Sequence, residues 1–399
     1  MDDAIEAAGN RLMLLADMER MLDLLFSDLA SSRREVAIDC YIVLDDQLGR
    51  ALGERLVAAV RRGLRARLIY DPLGSKEAHR RFFRSLRAQG VEVRGWRRLN
   101  SIPALRHLAP RDHSRIFLAD GTAYTGGAAF SDCWLPKSRG GSGWHDVCCR
   151  AQGPIVDHFW RLFEQRWDEA EPDSHDPCDY DSGGPLSPVR LVADTPDRRS
   201  PLFHLHCEAF ARARRRIWIE NAYFVPPPSM ERTLRAAARR GVDVRVILPA
   251  VSDLAALKHA ALADAPAWIA DGIRVFEYRP VMLHSKVSLV DDDWASVGTF
   301  NFNSTSVGLA NEVNLILRHA PFTSALARHM EDDLEDCVPV TRESLERLSR
   351  LARTLHRAAR SFVSVCDLLW GPRAPRPSSP ASAPAGQREE HFEASAGQG

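Results

Sequence analysis

The chain has 399 residues, of which 45% are apolar and 27% charged, a globular balance with room for two domains of ordinary size. Lys plus Arg and Asp plus Glu both number 53, so no overall field holds the protein to nucleic acid, although a local basic patch stays open. No stretch approaches the roughly 20 consecutive apolar residues that span a bilayer, no basic-then-apolar leader is present, and the eight cysteines form no CxxC pair, so a membrane is expected to be met from its surface and a zinc or redox site has no support.

The first strong signal is a unit that occurs twice. "RREVAIDCYIVLDDQLGRALGERLVAAVRRGLRARLIYD", Arg33 to Asp71, reads as strand, turn, amphipathic helix and second strand. Gly63 is the natural stop of its helix. "GVEVRGW" predicts a further strand and leads to the stretch "DHSRIFLADGTAYTGGAAFSD" around His113. Trp160, Phe163 and Trp167 recur at helical spacing and are expected in the core. "DEAEPDSHDPCDYDSGGPLSP", Asp168 to Pro188, is rich in Pro, Gly, Asp and Ser and reads as a linker.

The unit then returns. "RRRIWIENAYFVPPPSMERTLRAAARRGVDVRVILPA", Arg214 to Ala250, has the same order, with Gly241 as its helix stop. "GIRVFEY" again precedes a histidine stretch, "LHSKVSLVDDDWASVGTFNFNSTS". Alternating strand and helix signals predict an α/β sandwich in each half. Asp39 and Glu220 sit at matching places on the duplicated first strands, as internal polar supports or on the surface, and the arginine runs at Arg80–Arg84 and Arg212–Arg216 read as solvated faces. Residues 341–370 predict a basic amphipathic helix, able to lie in a membrane interface or to pack on the body. Residues 371–399 have almost no large apolar side chain and read as a disordered tail.

In the downstream stretch His284 and Lys286 are two apart, so on a strand they share a face, and the turn at Gly298 presents Asn301 near the strand's end. An imidazole can act as nucleophile or as acid and base near neutral pH, while lysine and an amide donate to phosphate oxygens. No serine nucleophile with a base and no acidic cluster for a metal pair accompanies them, so the set suits a phosphoryl centre without a metal. His107, His145, His204, His206 and His259 have no such company and read as ordinary.

The spacing His284-x-Lys286-x4-Asp291-x6-Gly298-Thr299-x-Asn301 resembles the signature of the phospholipase D superfamily. Flanking stretches such as "ENAYFVPP", "NEVNL" and "AYTGGAAFSD" look like bacterial cardiolipin synthases of the shorter type, without N-terminal membrane spans. The resemblance covers residues 8 to 340 and implies two α/β/α sandwich lobes, 1–170 and 189–340 with 171–188 between them, around one composite site on a pseudo-twofold axis. It implies a phosphatidyltransferase acting on phosphatidylglycerol through a phosphohistidine, with phospholipid partners, peripheral attachment to the cytoplasmic side of the inner membrane, no cofactor and no favoured nucleic acid. Hydrolysis of a lipid or nucleic-acid phosphodiester is the alternative, and a catalytically weak lipid binder a further one.

Carried over by position, His113 would be the nucleophile and His284 the acid and base. Arg115, Lys286, Thr299 and Asn301 would bind phosphate, Asp120 and Asp291 would complete the two motifs as members of the catalytic set, and Asp146 and Glu312 would orient the histidines. Arg115 stands where the family has lysine, Ala129 where it has asparagine, and Thr299 where it has serine. The oligomeric state stays open.

Overall fold

The computed structural model describes residues 4–96, 110–170, 178–184, 186–196 and 199–370. His107, much of the expected linker and the tail 371–399 lie outside them. The first lobe runs β1 (Ile5–Ala7), β2 (Asn10–Leu15), α1 (Met18–Ser31), β3 (Glu35–Cys40), α2 (Gln47–Arg61), β4 (Arg65–Tyr70), α3 (Arg80–Ala88), β5 (Glu92–Gly95), β6 (Arg111–Asp112), β7 (Arg115–Ala119), β8 (Thr122–Gly126), β9 (Cys148–Gln152) and α4 (Ile155–Glu169). The second runs β10 (Tyr180–Asp181), β11 (Val189–Asp194), α5 (Pro201–Arg212), β12 (Arg216–Asn221), α6 (Pro228–Arg239), β13 (Asp243–Pro249), α7 (Ala255–Ala270), β14 (Arg274–Tyr278), β15 (Lys286–Val290), β16 (Trp294–Gly298), α8 (Ser304–Leu309), β17 (Ala310–Arg318), α9 (Ala320–Glu335) and β18 (Cys337–Val340). Two helices follow, α10 (Arg342–Glu346) and α11 (Arg350–Trp370).

The duplicated stretches form as their patterns predict. In α2, Leu48, Leu52, Leu56 and Ala59 are buried along one face, Asp46 caps the first turn, and Gly63 takes the left-handed conformation just past the end. In α6, Met230, Leu234 and Ala237 bury the equivalent face and Gly241 does the same work as Gly63. Helices α4 and α9 each pack on the opposite face of their own sheet. Each half is therefore an α/β/α sandwich.

Sheet order shows that the duplication extends further than the sequence pattern reveals. The first sheet is ordered β1-β2-β9-β8-β7-β3-β4-β5 and the second β10-β11-β17-β16-β15-β12-β13-β14, with β18 added at the edge. Part of the expected linker is thus structure: Tyr180 and Asp181 pair with Ala193 and Val192 as an edge strand, the counterpart of β1 in the first half. Edge strands of three and two residues with turn-rich flanks leave too short a periodic signal to be read as a repeat.

The lobes do not have separate interiors. One apolar cluster includes Leu12, Ile116, Phe159 and Phe163 of the first half together with Leu191, Leu289, Phe322 and Met330 of the second. The backbone crosses as well: β6 of the first lobe pairs in parallel with β17 of the second, Asp112 opposite Asn311, and His145 bridges to Leu283.

The two motif aspartates hold turns. Asp120 and Asp291 occupy the β7–β8 and β15–β16 turns with positive φ, 47° and 50°. The Asp120 carboxylate accepts the backbone N–H groups of Arg33, Arg34 and Glu35 at 2.7, 3.1 and 3.0 Å. Asp291 does the same for Arg214, Arg215 and Arg216 at 2.7–3.1 Å. Each is seven residues along an extended strand from its histidine, roughly 20 Å. Their assignment to the catalytic set is therefore corrected: they tie each hairpin to the entry of the lobe's first central strand. Asp291→Ala should lower the unfolding free energy by about 1–3 kcal/mol in urea denaturation, with kcat per folded molecule unchanged. A collapsed kcat at retained stability would return the carboxylate to the chemistry.

Candidate active site

The two histidines stand where the lobes exchange strands. The His113 N–H donates to the Asn311 carbonyl at 3.0 Å, and the His284 N–H to the His145 carbonyl at 2.7 Å. The residue after each acceptor is an acid, and that acid holds the incoming histidine. His113 Nδ1 lies 2.9 Å from Glu312 Oε2, and His284 Nδ1 lies 2.8 Å from Asp146 Oδ2. Each histidine is thus oriented by the carboxylate of the other lobe, whereas sequence reasoning only placed one acid in each half. With Nδ1 engaged, Nε2 of either ring is the nitrogen left for chemistry.

The supports of the two acids differ. Asp146 Oδ2 also accepts the Trp134 indole N–H at 2.9 Å, and Oδ1 the Val147 N–H at 2.9 Å. Gly127 permits this approach, since a Cβ there would lie 2.3 Å from Asp146 Oδ1. Glu312 Oε2 instead accepts the Thr299 hydroxyl at 2.5 Å, while that hydroxyl accepts the Val313 N–H at 2.9 Å. The single hydroxyl hydrogen of Thr299 is engaged in its hydrogen bond to Glu312, so its expected contact with phosphate is corrected: it positions the carboxyl that positions His113.

The cations are buried beside the histidines. Arg115 is fully enclosed, donates through Nη1 to the His113 carbonyl at 2.6 Å, and keeps Nε and Nη2 buried without hydrogen-bond partners. Lys286 Nζ lies over the His284 ring edge, 2.8 Å from Nδ1 and 3.0 Å from Nε2, and contacts the His284 carbonyl. Asn301 is 3% exposed, and its side-chain oxygen has no hydrogen-bond partner. Opposite it in the repeat, Ala129 is buried in the apolar cluster of the first lobe.

Electrostatics tie these groups into one site. Burial, then the charges of Arg115, Lys286 and His284, hold the His113 pKa well below its ordinary value. Burial and Lys286 bring His284 down to about 4, against the pull of Asp146. Burial brings Lys286 down to about 7, with Arg115 adding to the push. The two acids diverge. Burial opposes ionisation of both, yet the hydrogen bond and charge of His284 hold Asp146 below the usual carboxylate range, whereas burial keeps Glu312 well above it. A dry cluster of positive groups beside two neutral imidazoles is suited to an anion.

Aromatic side chains wall the site. Tyr41 packs edge-on against His113 at 4.9 Å and under Arg115 at 5.6 Å. Trp134, Trp144 and Tyr223 surround His284 at 5.0, 5.5 and 5.8 Å. The Tyr223 hydroxyl donates to Asp253 at 2.7 Å. Sequence reasoning named none of the four as site residues. Tyr223 was within reach through "ENAYFVPP", but Trp134 and Trp144 lie in a loop with no periodic pattern.

Duplicated sandwiches sharing a histidine-and-cation centre define a two-lobed architecture, and comparison with known proteins places it. The family described as cardiolipin synthase, PLD-like domain matches residues 206–334. Cardiolipin synthase A of Pseudomonas putida is 30% identical over 372 residues, covering 88% of this chain and 74% of that protein. A probable cardiolipin synthase of Bacillus subtilis is 28% identical over 364 residues, covering 89% and 72%. The phosphatidylserine synthase of Haemophilus influenzae superposes over 92% of this chain and 96% of its own with a TM-score of 0.68 at 14% identity, which shows the shared fold. The chain belongs to the phospholipase D superfamily, with the cardiolipin synthases as relatives along most of its length. It is an enzyme of the phosphatidyltransferase and phosphodiesterase class, and among its described residues no helix is long and apolar enough to cross a membrane.

Replacing Thr299 tests the support of Glu312. Thr299→Val should lower kcat on a chromogenic phosphodiester by one to two orders of magnitude, since a buried carboxyl would lose a hydrogen bond worth about 1–3 kcal/mol. Thr299→Ser should restore most of it, with KM little changed in both. A main effect on KM would make Thr299 a phosphate ligand after all.

Proposed function

We propose that the enzyme makes cardiolipin at a membrane surface, transferring a phosphatidyl group from one phosphatidylglycerol to another through a phosphohistidine on His113. The observation that carries this reading is the crossed pairing of His113 with Glu312 and His284 with Asp146 around the buried cations Arg115 and Lys286. The relatives named cardiolipin synthase support the choice of lipid.

The divergence of the two acids supports the division of roles. Asp146, held ionised, stabilises an imidazolium on His284, as an acid and base requires. Glu312, whose pKa burial raises, gives less such bias, and His113, which burial and the nearby cations keep neutral, donates its Nδ1–H to Glu312 and so keeps on Nε2 the lone pair a nucleophile needs. The charge of the bound phosphodiester, added to that of Asp146, favours the protonated form of His284 that burial and Lys286 disfavour in the free enzyme. His113 Nε2 then attacks phosphorus, the ester P–O bond breaks, and the leaving glycerol oxygen takes the Nε2 proton of His284. A hydroxyl of the second phosphatidylglycerol then gives its proton to His284 and attacks the phosphohistidine. The P–N bond breaks, and cardiolipin and glycerol leave a regenerated His113. Arg115, Lys286 and the Asn301 amide hold the phosphoryl oxygens throughout.

Surface features favour a membrane as the workplace. Helix α11 packs on α7 through His356, Ala359 and Val363, and Arg360 pairs with Asp264 at 2.6 Å. That leaves Leu351, Leu355, Phe362 and Val365 exposed along another side, with arginines on the remainder. Val251 and Leu254 are also exposed, and they flank Asp253, the partner of Tyr223 at the site. An exposed apolar stripe with cations around it suits the interface of an anionic bilayer. Peripheral attachment on the cytoplasmic side of the inner membrane is the corresponding location.

Incubation with phosphatidylglycerol vesicles followed by lipid separation tests the reaction. Cardiolipin and glycerol should appear, and His113→Ala and His284→Ala should abolish both. Leu355→Asp combined with Phe362→Asp should suppress vesicle binding and cardiolipin formation while sparing turnover of a soluble phosphodiester. Phosphatidic acid as the main product would make the enzyme a hydrolase, and no lipid turnover would overturn the proposal.

The lysine supplies a pH test. A lysine with a lowered pKa carries its charge below that value and loses it above. The kcat/KM profile should therefore fall as pH rises through about 7, the value to which burial brings Lys286. In Lys286→Arg, where the cation persists, that limb should move upward by a unit or more. An unmoved limb would assign the ionisation to another group.

A further inference from the structure

We propose that His145, Glu220, His329 and Asp333 form a binding site for one divalent transition-metal ion of the zinc class that ties the two lobes together. The site is separate from the phosphoryl chemistry, and its argument does not depend on the lipid substrate. His145 comes from the first lobe, Glu220 from β12, and His329 and Asp333 from successive turns of α9. One ligand atom of each lies within 4.8 Å of all the others. Bonds of about 2.0–2.2 Å in a tetrahedral zinc site place ligand atoms roughly 3.4 Å apart. The present separations bracket that spacing: His145 Nε2 to Asp333 Oδ2 is 2.7 Å, His329 Nε2 to Asp333 Oδ2 is 3.4 Å, and His329 Nε2 to Glu220 Oε2 is 3.8 Å. Small side-chain rotations would equalise them. Two imidazoles with two carboxylates are the mixed nitrogen and oxygen set that zinc and its neighbours prefer over magnesium or calcium.

Two further observations point to a cation. Glu220 is fully buried; its Oε2 accepts the Ser285 hydroxyl at 2.9 Å, while Oε1 has no hydrogen-bond partner. Buried His329 Nε2 also lacks one. The other lobe shows how this fold neutralises such a place: Asp39, Asp112 and Glu169 lie around the buried Arg166, which donates to Glu169 at 2.9 Å. Among the described residues no arginine or lysine pairs with Glu220 or Asp333. A divalent ion would balance these two carboxylates as the guanidinium balances its own.

The position gives the ion a consequence. His145 immediately precedes Asp146, and its carbonyl accepts the His284 N–H. Ser285, bound to Glu220, lies between His284 and Lys286 and faces the opposite way along the chain. An ion here would fix from behind the strand crossing that presents His284 to Asp146.

The chelator-stripped full-length enzyme, titrated with zinc in a competing weak ligand, tests the proposal. It should bind one zinc per chain, gain thermal stability, and be indifferent to magnesium. His329→Ala and Asp333→Asn should each weaken zinc binding by more than about tenfold, and His79→Ala, an exposed histidine elsewhere, should not. Wild-type protein loaded with cobalt should show a visible absorption band of four- or five-coordinate geometry, a readout that needs no variant to fold. Failure of the wild type to bind zinc, or binding unchanged in His329→Ala, would overturn the site and leave the cluster as a proton-sharing network.

Discussion

The structure depends on the exchange of carboxylates between lobes. Neither half can orient its own histidine: Glu312 reaches His113 from the second lobe, and Asp146 reaches His284 from the first. The two acids are fully buried, a condition water would relieve if the lobes parted. What makes burial affordable is the pairing itself, reinforced by Trp134 on one side and Thr299 on the other. The backbone bonds from His113 to Asn311 and from His284 to His145 set the register of both crossings. A slip of one residue would turn acid and imidazole to opposite faces, so assembly of the lobes and assembly of the site are one event.

The shared core supplies the force that holds those polar contacts closed. Apolar side chains from both sheets and from α4 and α9 form one cluster behind the site. That burial is non-directional and accounts for association, while the crossed hydrogen bonds account for its specificity. The cations follow from the same enclosure. Arg115 and Lys286 are held where water is scarce, and the cost appears as depressed pKa values on His113, His284 and Lys286. A phosphodiester anion relieves that repulsion on binding, so the groups are arranged before the substrate arrives.

Much of this was readable in the amino-acid order, and the losses have physical causes. The strand–helix–strand units announced themselves because α2 and α6 carry full helical periods and end at Gly63 and Gly241. The edge strands β1 and β10 were invisible, since two or three residues carry no period. The motif spacing led to His284, Lys286, Asn301 and, more faintly, His113. It misplaced Asp120 and Asp291, because seven residues of extended strand carry each of them roughly 20 Å from its histidine. Which acid serves which histidine could not be read at all: it depends on how two sheets face each other. The same limit hid Tyr41 and Trp134 and made His145 look ordinary, for its neighbours Glu220, His329 and Asp333 come from the other half.

The departures of the first half from strict duplication take on a meaning in this frame. Ala129 removes an amide where the second half keeps Asn301, and its side chain joins the apolar core. Arg115 replaces a lysine, and it retains two buried donor nitrogens beyond the one bound to the His113 carbonyl. One missing amide donor is thus set against one guanidinium with donors to spare. A guanidinium also keeps its charge where Lys286, at about 7, is poised to lose it. The two cations therefore differ in kind: Arg115 is a permanent charge beside the more exposed histidine, and Lys286 a titratable one beside the histidine that Asp146 biases toward imidazolium. The duplication built a symmetric frame, and these substitutions made its halves unequal, which fits the proposed division of its histidines into nucleophile and acid.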